Sequence, residues 1–306
     1  MATDQQTAAQ QQFTEAMEGF EARMGGTLGV MARDLNTGLE LAWNHERPFP
    51  TASTMKVPLL YGLYRLAETG EIGLTTRVPL RKDDRVPGSG VLQHLDAGLE
   101  PTVRDLAELM IIVSDNYATD LLYATVGRER LAGTLAELGL DQTYLPHTVW
   151  QMLSHVGGVD AEDPELTYDE LRERLKGSRE PDAPDPYQSD EYDRSTPADI
   201  VRLMTRIEEG YGVSRASRGA MIEILKHQTI NDRIPVRFPE ELDIETAHKT
   251  GSLRGVRNDV GIVYAPGVTY TIAIMTRDLP DPVVAVPEIA AASRWVFDLL
   301  TDRAAS

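Results

Sequence analysis

Apolar residues along this chain follow either a helical or an alternating spacing, and these two patterns predict its secondary structure. From Thr7 to Arg23 they recur at three- and four-residue steps, which predicts a helix. Two strands are predicted next, Thr27–Leu35 and Leu39–Trp43, joined by Asn36-Thr37-Gly38, whose residue types favour a hairpin turn. Further helices are predicted at Thr54–Glu68, Leu106–Val113, Tyr117–Thr125, Glu129–Leu138, Tyr168–Lys176, Pro197–Glu208, Ser214–Lys226 and Glu288–Leu300, and further strands at Val256–Tyr264 and Thr269–Thr276, after one that ends near Lys249.

The order of these elements is helix, two strands, a long helical block, three strands and a final helix. Strands at both ends with helices between them are typical of an α/β (α+β) protein with one antiparallel sheet. We therefore predict a single domain over 1–306, whose sheet lobe comprises about 1–50 and 230–306. A helical lobe of about 51–229 is inserted between the two parts of the sheet lobe.

The composition is that of a globular protein, with 306 residues of which 42% are hydrophobic and 25% charged. The chain contains no cysteine, which excludes disulfides, thiolate metal sites and a cysteine nucleophile. Thirty Lys and Arg against 48 Asp and Glu give a net charge of −18. Because binding to nucleic acid of any sequence needs a basic surface, this charge predicts no nucleic-acid partner.

The sequence predicts neither a membrane span nor a signal peptide. The longest apolar runs, such as Val260–Tyr264, have the length of a strand. The first residues, Met1–Gln6, lack the basic start and apolar stretch of a signal peptide. We expect a cytoplasmic protein as the sequence is written, or a secreted or periplasmic one if an export signal has been removed.

One segment, about 157–193, differs from the rest in composition. Between Asp160 and Asp193 there are 13 acidic and four basic residues, a net charge of −9, which is half of the total. The segment also contains four prolines, and Glu180–Asp193 is predicted to be an exposed loop. We interpret it as an acidic insertion, either a lid over a functional site or a loop without a chemical role.

Three short motifs carry the candidate chemistry: Ser53-Thr54-Met55-Lys56, Ser114-Asp115-Asn116 and Lys249-Thr250-Gly251-Ser252. A serine hydroxyl becomes a nucleophile when a neighbouring base removes its proton. If Ser53 opens a helix, Lys56 lies on the same helix face, within reach of that hydroxyl. A lysine acts as a base only if burial or another cation destabilises its ammonium, and Lys249 is a candidate for that cation. A helix N-terminus at Ser53 also favours developing negative charge.

The second motif offers two polar side chains. Ser114 has a hydroxyl that can relay a proton to a leaving nitrogen, and Asn116 has an amide that can orient Lys56 or a substrate carbonyl. Without a third motif, the same residues would be interpreted as a helix cap before Tyr117–Thr125.

The third motif is predicted at the end of a strand that faces the site. Gly251 would let a substrate backbone approach the strand edge. Lys249 and Thr250 can bind a substrate carboxylate, and the amides of Ser252 and Ser53 can form an oxyanion hole. Arg254 and Arg257, a few residues later, are further candidates for carboxylate binding or for pairing with local acids.

The three motifs together resemble the S-x-x-K, S-D-N and K-T-G signature of class A β-lactamases and penicillin-binding proteins (DD-peptidases). Ser195-Thr196-Pro197-Ala198 and Gly255–Gly261 are similar to that family as well, and the resemblance extends from about Gly25 to Leu300. It implies a β-lactamase/transpeptidase-like fold with a five-stranded antiparallel sheet. It also implies a serine acyl-enzyme hydrolase that needs no metal or organic cofactor and acts on a small β-lactam, peptide or ester.

The sequence departs from this family at the residue that activates the deacylating water. Class A enzymes use a glutamate on a loop after the second motif, which would be expected near Pro146-His147-Thr148-Val149. No carboxylate lies there, and His147 is a lone histidine. Asp163-Pro164-Glu165 resembles the glutamate motif but comes about a dozen residues late, so Asp163 and Glu165 are candidates that are better explained as two solvated acids on an acidic loop.

Three functions therefore remain open. The first is a β-lactamase that hydrolyses its acyl-enzyme. The second is a DD-peptidase or esterase that is acylated by β-lactams but deacylates poorly, which the missing glutamate favours. The third is a non-catalytic penicillin-binding sensor module on the same fold. The six histidines show no metal-ligand spacing, so no metal site is predicted.

Overall fold

The protein is described by a computed structural model that covers residues 2–176 and 192–301. Its helices are α1 (Ala2–Met24), α2 (Lys56–Glu68), α3 (Val103–Ile112), α4 (Asn116–Val126), α5 (Arg128–Glu137), α6 (Val149–Gly157), α7 (Tyr168–Lys176), α8 (Pro197–Glu209), α9 (Arg215–Lys226) and α10 (Pro282–Leu300). Its strands are β1 (Thr27–Asp34), β2 (Glu40–Trp43), β3 (Phe49–Pro50), β4 (Arg194–Ser195), β5 (Glu245–Leu253), β6 (Val256–Ala265) and β7 (Val268–Arg277). Short 3-10 helices lie at Ala52–Met55, Lys82–Asp84 and Leu92–His94.

One antiparallel sheet of five strands is assembled from both ends of the chain, in the order β2-β1-β7-β6-β5. The amino-terminal β1 pairs with the carboxyl-terminal β7, for example Val30 opposite Ile274. The strand β5 lies at the edge of the sheet and pairs with β6 only, with Lys249 opposite Val260. This arrangement confirms the predicted fold class.

Alternation along the strands buries both faces of the sheet. Ile272 and Ile274 belong to a core formed with α1 and α10, in which Phe13 and Phe297 are fully buried. Ala273 and Met275, between and beyond them, face a second core. That larger core contains the apolar side chains of α2, α3, α4 and α8, so the helical lobe packs on one face of the sheet.

Most predicted elements are found within a few residues of their expected ends, but two predictions need correction. The helix expected at Thr54–Glu68 begins as the 3-10 helix Ala52–Met55 and becomes α-helical at Lys56. The helix α6 was not predicted, although Val149, Met152, Leu153 and Val156 recur at helical spacing over its nine residues. A reciprocal capping box between Thr148 and Gln151 fixes its start.

Part of the acidic segment can be compared with its prediction. The helix expected at Tyr168–Lys176 is found with those bounds. Positions 180–191 of the loop predicted at Glu180–Asp193 lie outside the described residues. Asp193 itself is buried, with 4% of its surface exposed, so the expectation of an exposed loop is wrong at that residue.

The lobe boundaries near 50 and 229 stay predictions. The helix α8 was expected in the helical lobe, yet it packs directly against β7, β6 and β1 of the sheet. Among the helices of the described residues, none is long and apolar enough to cross a membrane.

Candidate active site

Ser53 lies in the 3-10 helix that precedes α2, at the mouth of a pocket. The residue before it, Ala52, has a φ of +48°, a conformation that non-glycine residues seldom adopt. Neighbouring backbone holds this turn in place. The carbonyl of Asp193 accepts the amide of Thr51 at 3.0 Å, and Nδ2 of Asn258 donates to the carbonyl of Thr51 at 3.2 Å. Ser53 is thus the second residue of a braced 3-10 turn, rather than the N-cap of an α-helix.

Lys56 is fully buried and its ammonium nitrogen is surrounded by oxygen atoms. Its Nζ lies 2.7 Å from the carbonyl of Ser114, 3.0 Å from the Ser114 hydroxyl and 2.9 Å from Oδ1 of Asn116. Burial lowers the pKa of Lys56 to about 7, although the negative charges of Asp115 and Asp120 act in the opposite direction. Near neutral pH a substantial fraction of this amine is therefore unprotonated.

The three oxygens around Lys56 indicate where the lone pair of the neutral amine points. The carbonyl of Ser114 and Oδ1 of Asn116 can only accept, so they take the two N–H groups of a neutral amine. The orientation of the Asn116 amide is supported by its Nδ2, which donates to the carbonyl of Pro87 at 2.9 Å. The lone pair is then left for the Ser114 hydroxyl, the one of the three groups that can donate.

Asp115, the central residue of the second motif, has a structural role. Its Oδ1 accepts the amide of Ala118 at 2.9 Å and caps α4. Its Oδ2 accepts the amides of Val91 and Leu92 at 2.7 and 2.8 Å. The cap expected in this motif is thus Asp115, and Ser114, whose φ is +54°, is free to face Lys56.

Lys249 of the third motif is also fully buried, and its Nζ donates to the carbonyl of Thr250 at 2.9 Å. Burial lowers the pKa of Lys249 well below its usual value, and the positive charges of Lys56 and Arg233 lower it further. The two scarce lysines are therefore brought close enough to interact. Burial is nevertheless the main cause of the lowered pKa of Lys56, rather than the cation of Lys249 that the sequence suggested.

Gly251 allows the third motif to approach the first. A Cβ at this position would lie 2.8 Å from the carbonyl of Thr51, 3.1 Å from Cγ2 of Thr54 and 3.2 Å from Cβ of Ala52. The glycine was expected to make room for a substrate backbone. The structure assigns it a different requirement, the close contact between β5 and the 3-10 helix that carries Ser53.

Arg233 is a site residue that the sequence did not reveal. It is 3% exposed, and its guanidinium donates to the carbonyls of Gly251 and Asn258 at 3.1 and 2.7 Å. A further N–H donates to the hydroxyl of Ser252 at 2.7 Å. Arg233 therefore places a cation directly behind the third motif, although it lies in a stretch without a recognisable motif or periodic pattern.

The two arginines that the sequence singled out take other positions. Arg257 donates to the carbonyls of Leu253 and Val256, both at 2.7 Å, and so braces the turn between β5 and β6. Arg254 lies in that turn and is exposed.

The three motifs meet at one pocket of about 210 Å³. Six predicted residues line it: Ser53, Lys56, Ser114, Asn116, Thr250 and Ser252. Lys249 and Gly251 lie buried beneath them. The pocket thus combines serine and threonine hydroxyls with a partly neutral amine, and the cation of Arg233 lies behind its third motif, in a space suited to a small ligand.

The wall of this pocket opposite the third motif is apolar. It is formed by Val149, Met152 and Leu153 of α6, and none of the described residues that line the pocket is acidic. Asp163 and Glu165 lie in an exposed turn beyond α6, where Oδ1 of Asp163 accepts the amide of Glu165 at 2.9 Å. The structure therefore does not bring these two candidates to the pocket.

His147 lies just before α6 and contacts the far end of the acidic segment. Its Nδ1 is 2.8 Å from Oδ2 of Asp193, and its ring packs edge-on against His155 at a centroid distance of 5.6 Å. Burial raises the pKa of Asp193, whereas the hydrogen bond and charge of His147 lower it. The carbonyl of Asp193 also accepts the amide of Thr51. Through Asp193, His147 therefore connects α6 to the segment that carries Ser53.

Among residues 2–176 and 192–301, no group of three or more His, Asp or Glu side chains is arranged to hold a metal ion. His248 is buried on the sheet with Nδ1 2.8 Å from Oδ1 of Asp259 and Nε2 2.8 Å from Oδ1 of Asn231. It thus participates in a polar network rather than in the pocket.

Comparison with known proteins agrees with this geometry. A family model described as the beta-lactamase enzyme family matches residues 9–300, and the chain belongs to that family. Among solved structures, the chain is similar to a β-lactamase from Sphaerobacter thermophilus DSM 20745, with 33% identity, coverage of 93% of this chain and 95% of that one, and a TM-score of 0.76.

Two further similar structures are PBP-A and an ancestral class A β-lactamase. PBP-A is 26% identical, with coverage of 98% of this chain and 97% of that one and a TM-score of 0.75. An ancestral class A β-lactamase is also 26% identical, with coverage of 94% and 99% and a TM-score of 0.76. The chain is therefore a β-lactamase-like enzyme, and its family is one of hydrolases.

Proposed function

We propose that the protein is a serine hydrolase in which Ser53 forms an acyl-enzyme with a β-lactam or a similar amide or ester. The observation that carries this proposal is the environment of Lys56. A buried lysine with a pKa of about 7, one turn from a serine and bonded to a second serine, is suited to accept a proton at neutral pH.

In the proposed acylation, the Ser114 hydroxyl first turns its proton away from the lone pair of Lys56, and Oγ of Ser53 then attacks the substrate carbonyl as its proton moves to Nζ of Lys56. A tetrahedral intermediate forms, and the amides of Ser53 and Ser252 stabilise its oxyanion. Lys56 then returns the proton through the hydroxyl of Ser114 to the leaving nitrogen, and the bond between carbonyl carbon and nitrogen breaks. The hydrogen bond between Lys56 and Ser114 supports this relay.

A substrate carboxylate would be bound at the third motif. On this side of the pocket Arg233 supplies positive charge, and the Thr250 hydroxyl and the amine of Lys249 supply hydrogen-bond donors. Such a carboxylate is a feature of β-lactams and of peptide carboxyl termini alike. The recognition chemistry therefore suits both the lactamase and the peptidase function.

Deacylation separates the candidate functions, and the apolar wall of α6 favours the slower one. Val149, Met152 and Leu153 offer no group that removes a proton from a water molecule. We therefore propose an enzyme that is acylated readily and releases β-lactams slowly, as a DD-peptidase or esterase would. A variant of PBP-A, whose fold is similar, has been solved as an acyl-enzyme complex with penicillin G. This complex supports the proposal that a protein of this fold is acylated by a penicillin.

The test is to follow acylation and release in one experiment. Incubation with penicillin G should add the mass of the drug to Ser53, as read by mass spectrometry of the intact protein and its peptides, and Ser53→Ala should remain unmodified. With a chromogenic cephalosporin we expect a stoichiometric burst followed by slow turnover. Absence of both an adduct on Ser53 and turnover overturns the acyl-enzyme proposal, whereas rapid steady turnover that Ser53→Ala abolishes overturns slow release alone. An adduct without turnover of any ester, lactam or peptide identifies a sensor module.

A further inference from the structure

Ser89 lies in the loop between the 3-10 helices Lys82–Asp84 and Leu92–His94, and it lines the pocket of the candidate active site. It belongs to none of the three motifs, yet its hydroxyl contacts two oxygens of the second one. The hydroxyl donates to the carbonyl of Ser114 at 2.7 Å and lies 3.1 Å from Oδ1 of Asn116. A fourth serine hydroxyl is thus present beside the groups that surround Lys56.

The two oxygens that Ser89 contacts also accept hydrogen bonds from Lys56. Nζ of Lys56 lies 2.7 Å from the carbonyl of Ser114 and 2.9 Å from Oδ1 of Asn116. Each of these oxygens has two lone pairs, so each can accept from Lys56 and from Ser89. Ser89 therefore acts on the acceptors of the candidate base, rather than on the base itself.

The contacts of Asn116 favour one orientation of its amide. Nδ2 donates to the carbonyl of Pro87 at 2.9 Å, while Lys56 and Ser89 bring two donors to Oδ1. In the flipped orientation Oδ1 would face the carbonyl oxygen of Pro87 and would lose both donors. One N–H of Nδ2 is used by Pro87, and because Asn116 lines the pocket, the other N–H can donate to a carbonyl of a ligand.

Two glycines beside Ser89 let its loop approach the second motif this closely. A Cβ at Gly88 would lie 2.7 Å from Nδ2 of Asn116, and a Cβ at Gly90 would overlap Asp115. The carbonyl of Ser89 also accepts the backbone amide of Asn116 at 3.1 Å. The Ser89 hydroxyl is therefore carried by a loop that is itself packed against the motif and hydrogen-bonded to it.

Ser114 needs a contact of this kind, because its backbone has a φ of +54°. Non-glycine residues seldom adopt this conformation, and it persists where neighbouring groups hold it. The carbonyl of Ser114 is held by donors from Ser89 and Lys56, both at 2.7 Å. Loss of the Ser89 hydroxyl would weaken the hold on this carbonyl, and with it the placement of the Ser114 hydroxyl beside Lys56.

We propose that Ser89 is a positioning residue for acylation. Its hydroxyl holds the carbonyl of Ser114 and the amide oxygen of Asn116 toward the candidate base, and so directs the remaining N–H of Asn116 into the pocket. The inference rests on the proposed function, because it concerns the same acylation of Ser53. It adds a substrate preference, since a substrate with an amide carbonyl beside the reacting group can accept this N–H and a substrate without one cannot.

Two penicillins that differ in this carbonyl separate positioning from a merely structural role. Penicillin G has an acylamino side chain, whereas 6-aminopenicillanic acid has the same ring system with a free amine. In Ser89→Ala we expect the second-order rate of adduct formation on Ser53 to fall about tenfold with penicillin G and about threefold or less with 6-aminopenicillanic acid, because a hydrogen bond of ordinary strength is lost. Ser89→Thr keeps the hydroxyl and should stay within about twofold of the wild type.

Ser214→Ala serves as the matched control, because the Ser214 hydroxyl caps α9 and lies outside the pocket lining. It should leave both rates unchanged. Equal falls with the two penicillins, or no fall with penicillin G in Ser89→Ala, overturn the proposal. If Ser89→Ala does not fold, Ser89→Cys replaces the hydroxyl by a weak donor of similar shape and takes its place.

The hold on Asn116 can also be measured without a substrate, because the chain contains five asparagines. With ¹⁵N-labelled asparagine, the side-chain amide of Asn116 is assigned from the NMR signal that Asn116→Asp removes. We expect its Nδ2 protons to exchange with water about tenfold faster in Ser89→Ala than in the wild type, because the amide leaves Pro87 more often. Unchanged exchange overturns the proposal. If the wild type shows neither adduct nor turnover, the proposed function fails, whereas the exchange measurement still decides whether Ser89 positions Asn116.

Discussion

At the scale of single residues, the candidate chemistry depends on a few side chains whose properties change on burial. Lys56 would be an ordinary ammonium in water, and its pKa is lowered because its nitrogen is buried among Ser114 and Asn116. Because the pKa of Lys56 differs between the folded and unfolded states, its burial makes the free energy of unfolding depend on pH.

Lys56→Met should change how stability depends on pH. Between pH 7 and about 10, an unfolded lysine holds a proton that folded Lys56 has released, so the free energy of unfolding rises with pH across this range. In Lys56→Met that contribution disappears and the rise becomes smaller. Urea unfolding at pH 6.5, 8 and 9.5 measures it, with the exposed Lys82→Met as control. Equal slopes in wild type and Lys56→Met would contradict a lowered pKa.

The apolar wall can be tested at one residue, Val149. Replacing it by Glu places a carboxylate where the pocket has none, and a positioned general base contributes at least about 100-fold to a proton transfer. We expect turnover of a chromogenic cephalosporin after the burst to rise by about that factor. Val149→Gln has similar size without basicity and should remain slow. If both variants turn over alike, a general base is not what limits release.

At the scale of elements, α6 supplies the apolar wall of the pocket. Residues from distant parts of the chain contact the segment at its start. The backbones of Tyr144 and Arg194 exchange two hydrogen bonds of 2.9 Å, and the ring of His147, three residues after Tyr144, contacts Asp193. The carbonyl of Asp193 in turn accepts the amide of Thr51. The carboxyl-terminal end of the acidic segment, at Asp193, thus lies beside the turn that carries Ser53.

His147→Ala should loosen this connection. The variant leaves the buried carboxylate of Asp193 without the imidazole, which costs about 1–3 kcal/mol when a buried polar group loses its partner. We expect faster hydrogen exchange in α6 and in the 3-10 helix of Ser53. His155→Ala removes the packed ring but not the partner of Asp193, so it should exchange more slowly than His147→Ala. Exchange confined to α6 would argue against a link to Ser53.

At the scale of the whole molecule, the site exists because two lobes meet. The first two motifs belong to the helical lobe and the third to the edge strand β5, and Gly251 is where they touch most closely. A displaced β5 would move Lys249 and Ser252 away from Ser53. Because a misplacement of about 1 Å can cost about 100-fold in rate, catalysis should be more sensitive than folding to crowding here.

Gly251→Ala tests the contact between the lobes. Its Cβ would lie 2.8 Å from the carbonyl of Thr51, so something must move, at a cost of about 1–3 kcal/mol for overpacking. We expect the rate of Ser53 acylation to fall by more than tenfold while the circular dichroism of the fold persists. Gly133→Ala, a helix position with open space, should acylate normally and gain about 1 kcal/mol. Normal acylation of Gly251→Ala would contradict the close approach.

Much of this protein could be predicted from local patterns in its sequence. The alternating and helical spacings located nearly all strands and helices, because such spacings report which residues share a face. The motifs around Ser53, Ser114 and Lys249 indicated a family, because their order and residue types are rarely found together by chance. The family and the fold class are now shown, whereas the roles of the individual residues stay predictions until acylation is measured.

What only the tertiary structure decided are the properties that depend on residues distant in the chain. Arg233 carries no motif, and it matters because folding places it beside the third motif. Asp193 was expected in an exposed acidic loop and is buried. The protonation of Lys56 follows from its loss of water. The sequence by itself determined which elements form and which functional groups are available; burial and long-range contact decided what those groups can do, because both are set by the packed chain rather than by any local stretch.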